Sequence, residues 1–182
     1  MTTDTPVLTT DPTPRLKHVR ASGTWQGTMT TSVKVRGFDR FLISEPVPVG
    51  GDDSAPTPME YVVGALNGCL AVVVETVAAE RGLAVDALTL DTDATMDTRG
   101  FAGTADVAPY FTHVHVALTL TSSASADEVR SLRVAVERRC PALTLVIAAG
   151  VPVDLEWVNL PLGSSDRGPD VASRSQAVQD RA

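Results

Sequence analysis

The chain has 182 residues, of which 43% are hydrophobic and 20% charged, and its 22 acidic and 15 basic side chains give a net charge of −7. This composition is typical of one globular domain. The acidic balance and the lack of a polybasic stripe argue against a nucleic-acid partner. We find no basic, apolar leader and no uninterrupted apolar run of membrane-spanning length, which predicts a cytoplasmic protein with no membrane partner.

Both ends of the chain mix Pro, Gly, Ser and charged residues without apolar periodicity. Such segments bury too little apolar surface to fold. We therefore predict disordered tails at residues 1–18 and 159–182, and a single domain at residues 19–158.

The first predicted elements are strands. Thr24–Arg36 is rich in Thr and Val, and an extended pattern resumes at Arg40–Glu45 after Gly37. This arrangement predicts an antiparallel hairpin. Residues 46–56 are rich in Pro and Gly, which predicts a loop.

A long helix is predicted next. Thr57 and Glu60 form a capping box with Pro58 at the first helical position, and Gly82 suits the residue after the helix. The side chains between them are apolar almost all round, which predicts a buried central helix. Because one short chain supplies little sheet to cover such a helix, we expect a dimer that shares its core.

The second half of the chain predicts two strands, two helices and a last strand. Val85–Met96 and Phe111–Thr121 alternate between apolar and polar residues, and a loop is predicted at Asp97–Pro109 between them. Ser125 and Glu128 form a second capping box, which starts a helix that ends at Cys140.

Pro141 breaks or restarts the helix that ends at Cys140, and Val151–Trp157 is the last predicted strand. The resulting order, ββ–α–ββ–αα–β, predicts an α+β fold. We expect antiparallel sheets packed around the long buried central helix.

The chain contains two cysteines, Cys69 in the long helix and Cys140 directly before Pro141. Thiols are normally reduced in the cytoplasm, so a cysteine pair there is more often catalytic, redox-sensing or metal-binding than a permanent crosslink. If the fold brings the two sulfurs together, the chain is a dithiol redox protein. If it does not, each cysteine is an inert small hydrophobe.

A zinc site is a weaker interpretation of the same residues. His113 and His115 share the polar face of one predicted strand and could join the cysteines as ligands. The chain has no C-x-x-C or H-x-x-x-H spacing, so solvent-facing histidines are the simpler interpretation. We predict no cofactor and no bound metal.

Several segments resemble the OsmC/Ohr peroxidase family in order and approximate spacing. They are Gly50-Gly51, Thr57–Tyr61, Ala65–Cys69, Asp97–Gly103 and Cys140-Pro141. The resemblance covers roughly residues 20–158 and implies an OsmC-like intertwined homodimer with two active sites at the subunit interface. Met59 stands where the Ohr branch has a catalytic glutamate, so the chain is more similar to the broader OsmC-like branch.

The resemblance also implies a thiol peroxidase that favours small hydrophobic hydroperoxides and acts in oxidative stress defence. Cys69 is then the attacking cysteine and Cys140 the resolving one. A thiolate that attacks a peroxide becomes a sulfenic acid, which a second thiol condenses to a disulfide. An external dithiol, in some relatives a lipoylated protein, reduces that disulfide.

Two charged residues complete the predicted site. Cys69 lies twelve residues past Thr57, roughly 18 Å along the helix, so the helix dipole does not reach it and a cation must stabilise its thiolate. The family pattern takes this cation from the N-terminal strands, where Arg40 is preferred to Arg36, although an exposed strand arginine stays an equal alternative. Glu60 is the acidic candidate, although the helical spacing of nine residues places it opposite Cys69 and its capping role already explains it.

A function of a different class stays open, which is a non-catalytic OsmC-like dimer that binds a small hydrophobic ligand. Met59 at the acidic position favours it. In such a protein both cysteines would be buried and unreactive.

Overall fold

The computed structural model describes residues 13–163. Of the tails predicted at residues 1–18 and 159–182, residues 1–12 and 164–182 lie outside the described residues. The chain divides into two compact units between Pro58 and Met59. The last strand ends at Leu160, two residues beyond the predicted domain end at residue 158.

The first unit contains a three-stranded antiparallel sheet in the order β1-β2-β3. The antiparallel pairing confirms the predicted hairpin, but the run predicted as one strand is split by a turn. Gly27, Thr28 and Met29 all have positive φ, at 95°, 47° and 57°. Local sequence hides this turn because it lacks the Asn-Gly or Asp-Gly signal of tight hairpins. The strands are β1 Ser22–Gly27, β2 Thr30–Lys34 and β3 Phe41–Ile43.

The loop after β3 contains the short 3₁₀ helix Val47–Val49 and is tied to the sheet by Asp52. Asp52 Oδ1 accepts hydrogen bonds from the hydroxyls of Ser44 at 2.6 Å, Thr30 at 3.2 Å and Ser54 at 2.6 Å. The Ser44 hydroxyl is the largest cause that lowers the pKa of Asp52 to about 2. Because Ser44 is completely buried, this carboxylate satisfies a hydroxyl that water cannot reach.

Close backbone packing in this loop generates a test. A Cβ at Gly51 would lie 1.7 Å from Glu45 O, whereas a Cβ at Gly37 meets nothing within 4 Å. We expect Gly51→Ala to lower the free energy of unfolding by roughly 1–3 kcal/mol, because the turn must open to admit the methyl group. Gly37→Ala is the matched control and should change it by less than about 0.5 kcal/mol. Thermal melts at one protein concentration measure both, and equal melting of the two variants contradicts the prediction.

As far as residue 163, the second unit contains four helices and a three-stranded sheet in the order β4-β5-β6. The long helix α1 agrees with its predicted start and end, and the capping box of Ser125 and Glu128 at α3 is confirmed. The elements are α1 Pro58–Glu80, β4 Val85–Met96, α2 Thr98–Ala102, β5 Phe111–Ser122, α3 Ala126–Arg139, α4 Pro141–Ala148 and β6 Val153–Leu160.

The pairing in this sheet corrects one prediction. Strands β4 and β5 are antiparallel, but β6 pairs with β5 in parallel. A parallel partner needs a crossover connection, and α3 and α4 supply it between β5 and β6. The predicted α+β fold is confirmed, but the antiparallel pairing expected of its sheets is wrong for the last strand.

The core of the second unit lies between one face of this sheet and the helices. Strand β5 alternates as predicted, with its apolar side chains buried and His113 and His115 on the other face. The buried members from β5, the helices and the junction between α3 and α4 are Leu66, Leu70, Val74, Val77, Ala78, Phe111, Val114, Val116, Leu118, Leu120, Leu132, Val136, Cys140 and Leu143.

The chain buries only one face of helix α1, which agrees with the expectation that one short chain supplies too little sheet to cover it. Five of its side chains are buried, whereas Val62 is 46% and Val72 62% exposed. By length and composition alone its 23 residues could also cross a membrane, contrary to the prediction from the sequence. Its buried face belongs to the core of the second unit. Core helices of globular domains can have the same length and apolar composition as membrane spans.

Candidate active site

Cys140 lies at the junction of two helices. Its N–H donates to Val136 O at 2.9 Å as the last bond of α3, and Pro141, which has no N–H, prevents the helix from continuing. The residue before a proline favours extended backbone, and Cys140 has φ −76° and ψ 110°. Its carbonyl oxygen accepts from Thr144 N at 3.0 Å and from Thr144 Oγ1 at 2.9 Å. The junction thus holds Cys140 from both sides.

Cys69 lies in the middle of α1, next to the buried Leu70. Its Sγ is 3.4 Å from Cys140 Sγ, and both cysteines are reduced. The fold therefore brings the two sulfurs together, which is what a dithiol redox protein requires. They differ in exposure, because Cys140 is completely buried and Cys69 only partly so.

Burial keeps the Cys140 thiol protonated. Desolvation is the largest cause that raises the pKa of Cys140, the neighbouring Cys69 adds to it, and the resulting pKa is about 11. The backbone N–H groups of Leu143 and Ala142, at the start of α4, act in the opposite direction without outweighing burial. At neutral pH Cys140 therefore keeps its proton.

Polar contacts that the sequence analysis missed fix α1 against its neighbours. Thr92 on β4 donates to Asn67 Oδ1, two residues before Cys69. Arg139, directly before Cys140, forms an ion pair with Glu80 at the end of α1, with Nη2 and Oε1 2.8 Å apart. Asn67 was detectable as an amide within an apolar helix, whereas the Glu80 pairing joins residues too distant in sequence to be inferred.

The candidate arginines lie in the first unit. Arg40 Nη1 is 3.5 Å from both the carbonyl oxygen and the hydroxyl of Ser32, and its side chain is exposed. The guanidinium of Arg36 lies 4.7 Å from the centre of the Phe38 ring, which is a cation–π contact. The pairing of Arg40 with Cys69 stays a prediction.

Glu60 is exposed in the first turn of α1. Because α1 is one uninterrupted helix, its nine-residue separation from Cys69 amounts to roughly 13 Å along the axis. Glu60 and Cys69 of the same chain therefore do not meet. The predicted acidic role of Glu60 depends on a second chain and stays a prediction.

The segment Asp97–Gly103, predicted as loop, forms the short helix α2. Asp97 caps it by accepting from Arg99 N at 3.0 Å, and its carboxylate also pairs with the Arg99 side chain at 2.6 Å. Arg99 thereby lowers the pKa of Asp97 to about 2. A Cβ at Gly100 would lie 2.7 Å from Val107 O, so the motif is explained by local folding.

The two strand histidines pair with carboxylates of β6. His113 Nε2 lies 2.9 Å from Asp154 Oδ2, and His115 Nε2 lies 4.0 Å from Glu156 Oε2. Within residues 13–163 no three side chains of His, Cys, Asp or Glu come together as a metal site. These contacts favour the interpretation of a polar sheet face.

Comparison with known proteins agrees with this geometry. The family model described as OsmC-like protein matches residues 51–156 of the chain, more than half of its length. The chain belongs to the OsmC-like protein family. No protein of curated function matches it in sequence.

Solved structures of OsmC-like proteins share its fold. An OsmC-like protein of Mycoplasma pneumoniae matches with a TM-score of 0.68 and 12% identity, over 79% of this chain and 98% of that one. An organic hydroperoxide resistance protein of Legionella pneumophila matches with a TM-score of 0.58 and 16% identity, over 80% and 98%. A protein of the same description from Elizabethkingia anophelis matches with a TM-score of 0.59 and 17% identity, over 81% and 100%.

The contact between the sulfurs generates a test of the site. We expect the thiol oxidant diamide to convert this OsmC-like protein to a species two hydrogen atoms lighter, because Cys69 and Cys140 need only a small approach to bond. Peptide mapping would locate the disulfide within one chain. The variant Cys140→Ser is the control and should not form it, and a disulfide between two chains in the parent protein would contradict the geometry.

Proposed function

We propose that this OsmC-like protein is a thiol peroxidase that reduces organic hydroperoxides and contributes to peroxide defence in the cytoplasm. The observation that carries the proposal is a partly exposed thiol, Cys69, 3.4 Å from a completely buried one, Cys140. The likeness to proteins described as organic hydroperoxide resistance proteins supports the same substrate class.

The reaction needs two steps at the cysteines. The Cys69 thiolate attacks one peroxide oxygen, the O–O bond breaks, and the products are a Cys69 sulfenic acid and, after protonation, an alcohol. The sulfur of Cys140 then attacks the sulfenic sulfur, and the hydroxyl leaves with a proton as water. An external dithiol, such as a lipoylated protein, returns both thiols to the reduced state by exchange with the Cys69–Cys140 disulfide.

The unequal burial decides which cysteine attacks. Only Cys69 has exposed surface through which a hydroperoxide can approach it. Cys140 stays protonated and buried until the sulfenic acid forms beside it. In this proposal Arg40 supplies the positive charge beside the Cys69 thiolate, since the dipole of α1 does not reach that far.

We further propose that the protein works as a homodimer. The buried residues of the first unit, within 13–58, are Thr30, Ser32 and Ser44, so this unit has no apolar core, while Trp25 is 75% exposed. Helix α1 leaves a stripe of small and apolar residues exposed, which consists of Gly64, Ala65, Gly68 and Val72. A second chain that covers these surfaces would also be the source of any Glu60 that reaches Cys69.

One observation favours the alternative of a non-catalytic binding protein. Met59 packs against the core, so the position that is acidic in the Ohr branch is apolar here. A dimer that holds a small hydrophobic ligand would need no reactive thiol. The proximity of the two reduced sulfurs favours the peroxidase instead, and reactivity decides between them.

The peroxidase proposal predicts distinct products for three proteins. One equivalent of cumene hydroperoxide should convert both thiols of the parent protein to a disulfide, with the loss of the mass of two hydrogen atoms. Cys140→Ser should stop at a Cys69 sulfenic acid, which dimedone traps, and Cys69→Ser should lose turnover at least about a thousandfold because Cys140 is buried. Native mass spectrometry and thiol counting measure these species. Thiols that label only after denaturation, with no change in mass, would establish the binding protein instead.

The dimer proposal is tested by sedimentation equilibrium at micromolar concentration. The chain mass is 19.1 kDa, and we expect about twice that mass in solution. Val72→Asp should weaken association at least about tenfold, because it buries a charge in the proposed interface. Val134→Asp, at a valine that is 54% exposed on α3, is the matched control. A monomeric parent protein, or equal association of both variants, contradicts the proposed interface.

A further inference from the structure

We propose that Cys140 acts before any peroxide arrives, because its S–H donates a hydrogen bond to Cys69 Sγ and stabilises the Cys69 thiolate of the reduced protein. The proposal deepens the peroxidase function above and rests on it in one respect, that the thiolate is the form that attacks. Cys140 would then serve twice, first as a hydrogen-bond donor and later as the resolving thiol.

The contact itself supports this role. The Cys140 and Cys69 sulfurs lie 3.4 Å apart, with Cys140 oriented as the donor. A thiol is a weak donor to a neutral acceptor, but a hydrogen bond to an ionised acceptor is about twice as strong. The thiolate of Cys69 is such an acceptor, and it faces Cys140 on the buried side of α1.

Burial determines which sulfur carries the proton. An unpaired charge inside the core is costly, and Cys140 has no exposed surface to relieve that cost. Desolvation and the neighbouring Cys69 accordingly raise the pKa of Cys140 to about 11. Cys140 therefore keeps its S–H at neutral pH and is the donor of the pair.

The backbone holds the donor in place. Hydrogen bonds from Cys140 N to Val136 O at 2.9 Å, and from Thr144 to Cys140 O at 2.9 and 3.0 Å, fix the residue between α3 and α4. The side chains of Val136 and Leu143 are buried in the same core cluster. Because the donor is already ordered, little entropy is lost when the thiolate forms.

The same proton has a use in the second step. When Cys140 attacks the sulfenic acid, the S–S bond forms, the S–O bond breaks, and the Cys140 proton leaves with the hydroxyl as water. No further oxidant or reductant is needed for this step, because the hydroperoxide has already oxidised Cys69. The external dithiol restores the S–H donor together with the Cys69 thiol.

The test compares two single-cysteine variants that differ in one donor. Cys140→Ser keeps an O–H beside Cys69, and Cys140→Ala removes the donor with little change in volume. In each protein the rate of Cys69 alkylation by iodoacetamide is measured against pH. We expect the midpoint of the Cys140→Ala profile to lie about one pH unit above that of Cys140→Ser, which is about a tenfold lower rate at pH values below both midpoints.

A second pair of variants separates this effect from the proposed cation. Arg40→Ala should move both profiles to higher pH if Arg40 acts on Cys69, but the difference between Cys140→Ser and Cys140→Ala should persist. Coincident profiles of the two Cys140 variants overturn the inference. If Cys140→Ala does not fold, the Raman S–H band of the parent protein replaces it: a fall in frequency as Cys69 ionises supports the hydrogen bond, and a constant frequency overturns it.

The alkylation readout does not require peroxide. A separation between the two profiles without peroxide turnover would leave the inference standing and remove the proposed peroxidase. Coincident profiles with full turnover would leave the peroxidase standing and remove the inference.

Discussion

The contact between the Cys69 and Cys140 sulfurs is the constraint on which the site depends. It exists because Pro141 stops α3 at Cys140 and leaves that residue extended between two helices. Cys140 follows the buried Leu132 and Val136 at helical spacing, so it lies on the face of α3 that packs into the core cluster. On the other side, the buried Leu66 and Leu70 fix the rotation of α1 and so direct Cys69 to the same cluster. The pair thus rests on ordinary core packing and one proline.

In the proposed peroxidase, the same burial gives two chemically identical side chains different roles. Cys140 lies in the apolar core cluster with no exposed surface, so its charged form is disfavoured and its pKa rises. Cys69 has exposed surface that Cys140 lacks, so the proposed hydroperoxide substrate has access to Cys69. The difference in exposure between the two thiols follows from their positions relative to the core.

Sequence reasoning succeeded where the signal is local. The ends of α1 and the capping box at Ser125 are set by neighbouring residues, and the faces of β5 follow from strict alternation. It failed where the structure depends on distant or weak signals. The parallel pairing of β6 is a tertiary choice, the turn at Thr28 has no turn-forming dipeptide, and α2 is only five residues long. The ion pair of Glu80 with Arg139 joins residues 59 positions apart, which no periodicity reveals.

The mismatch between the sequence and the burial of α1 is itself informative. Apolar residues surround this helix in the sequence, yet one chain buries five of its 23 residues. The apolar residues of a helix indicate which of its faces are buried in the assembled protein, and one chain alone need not bury all of these faces. Glu60 makes the same point, because a straight helix keeps it from Cys69 of its own chain. If a second chain covers α1 and also supplies Glu60, then association of the two chains completes the active site. A variant that remains folded but monomeric would then have neither the interface nor a complete active site.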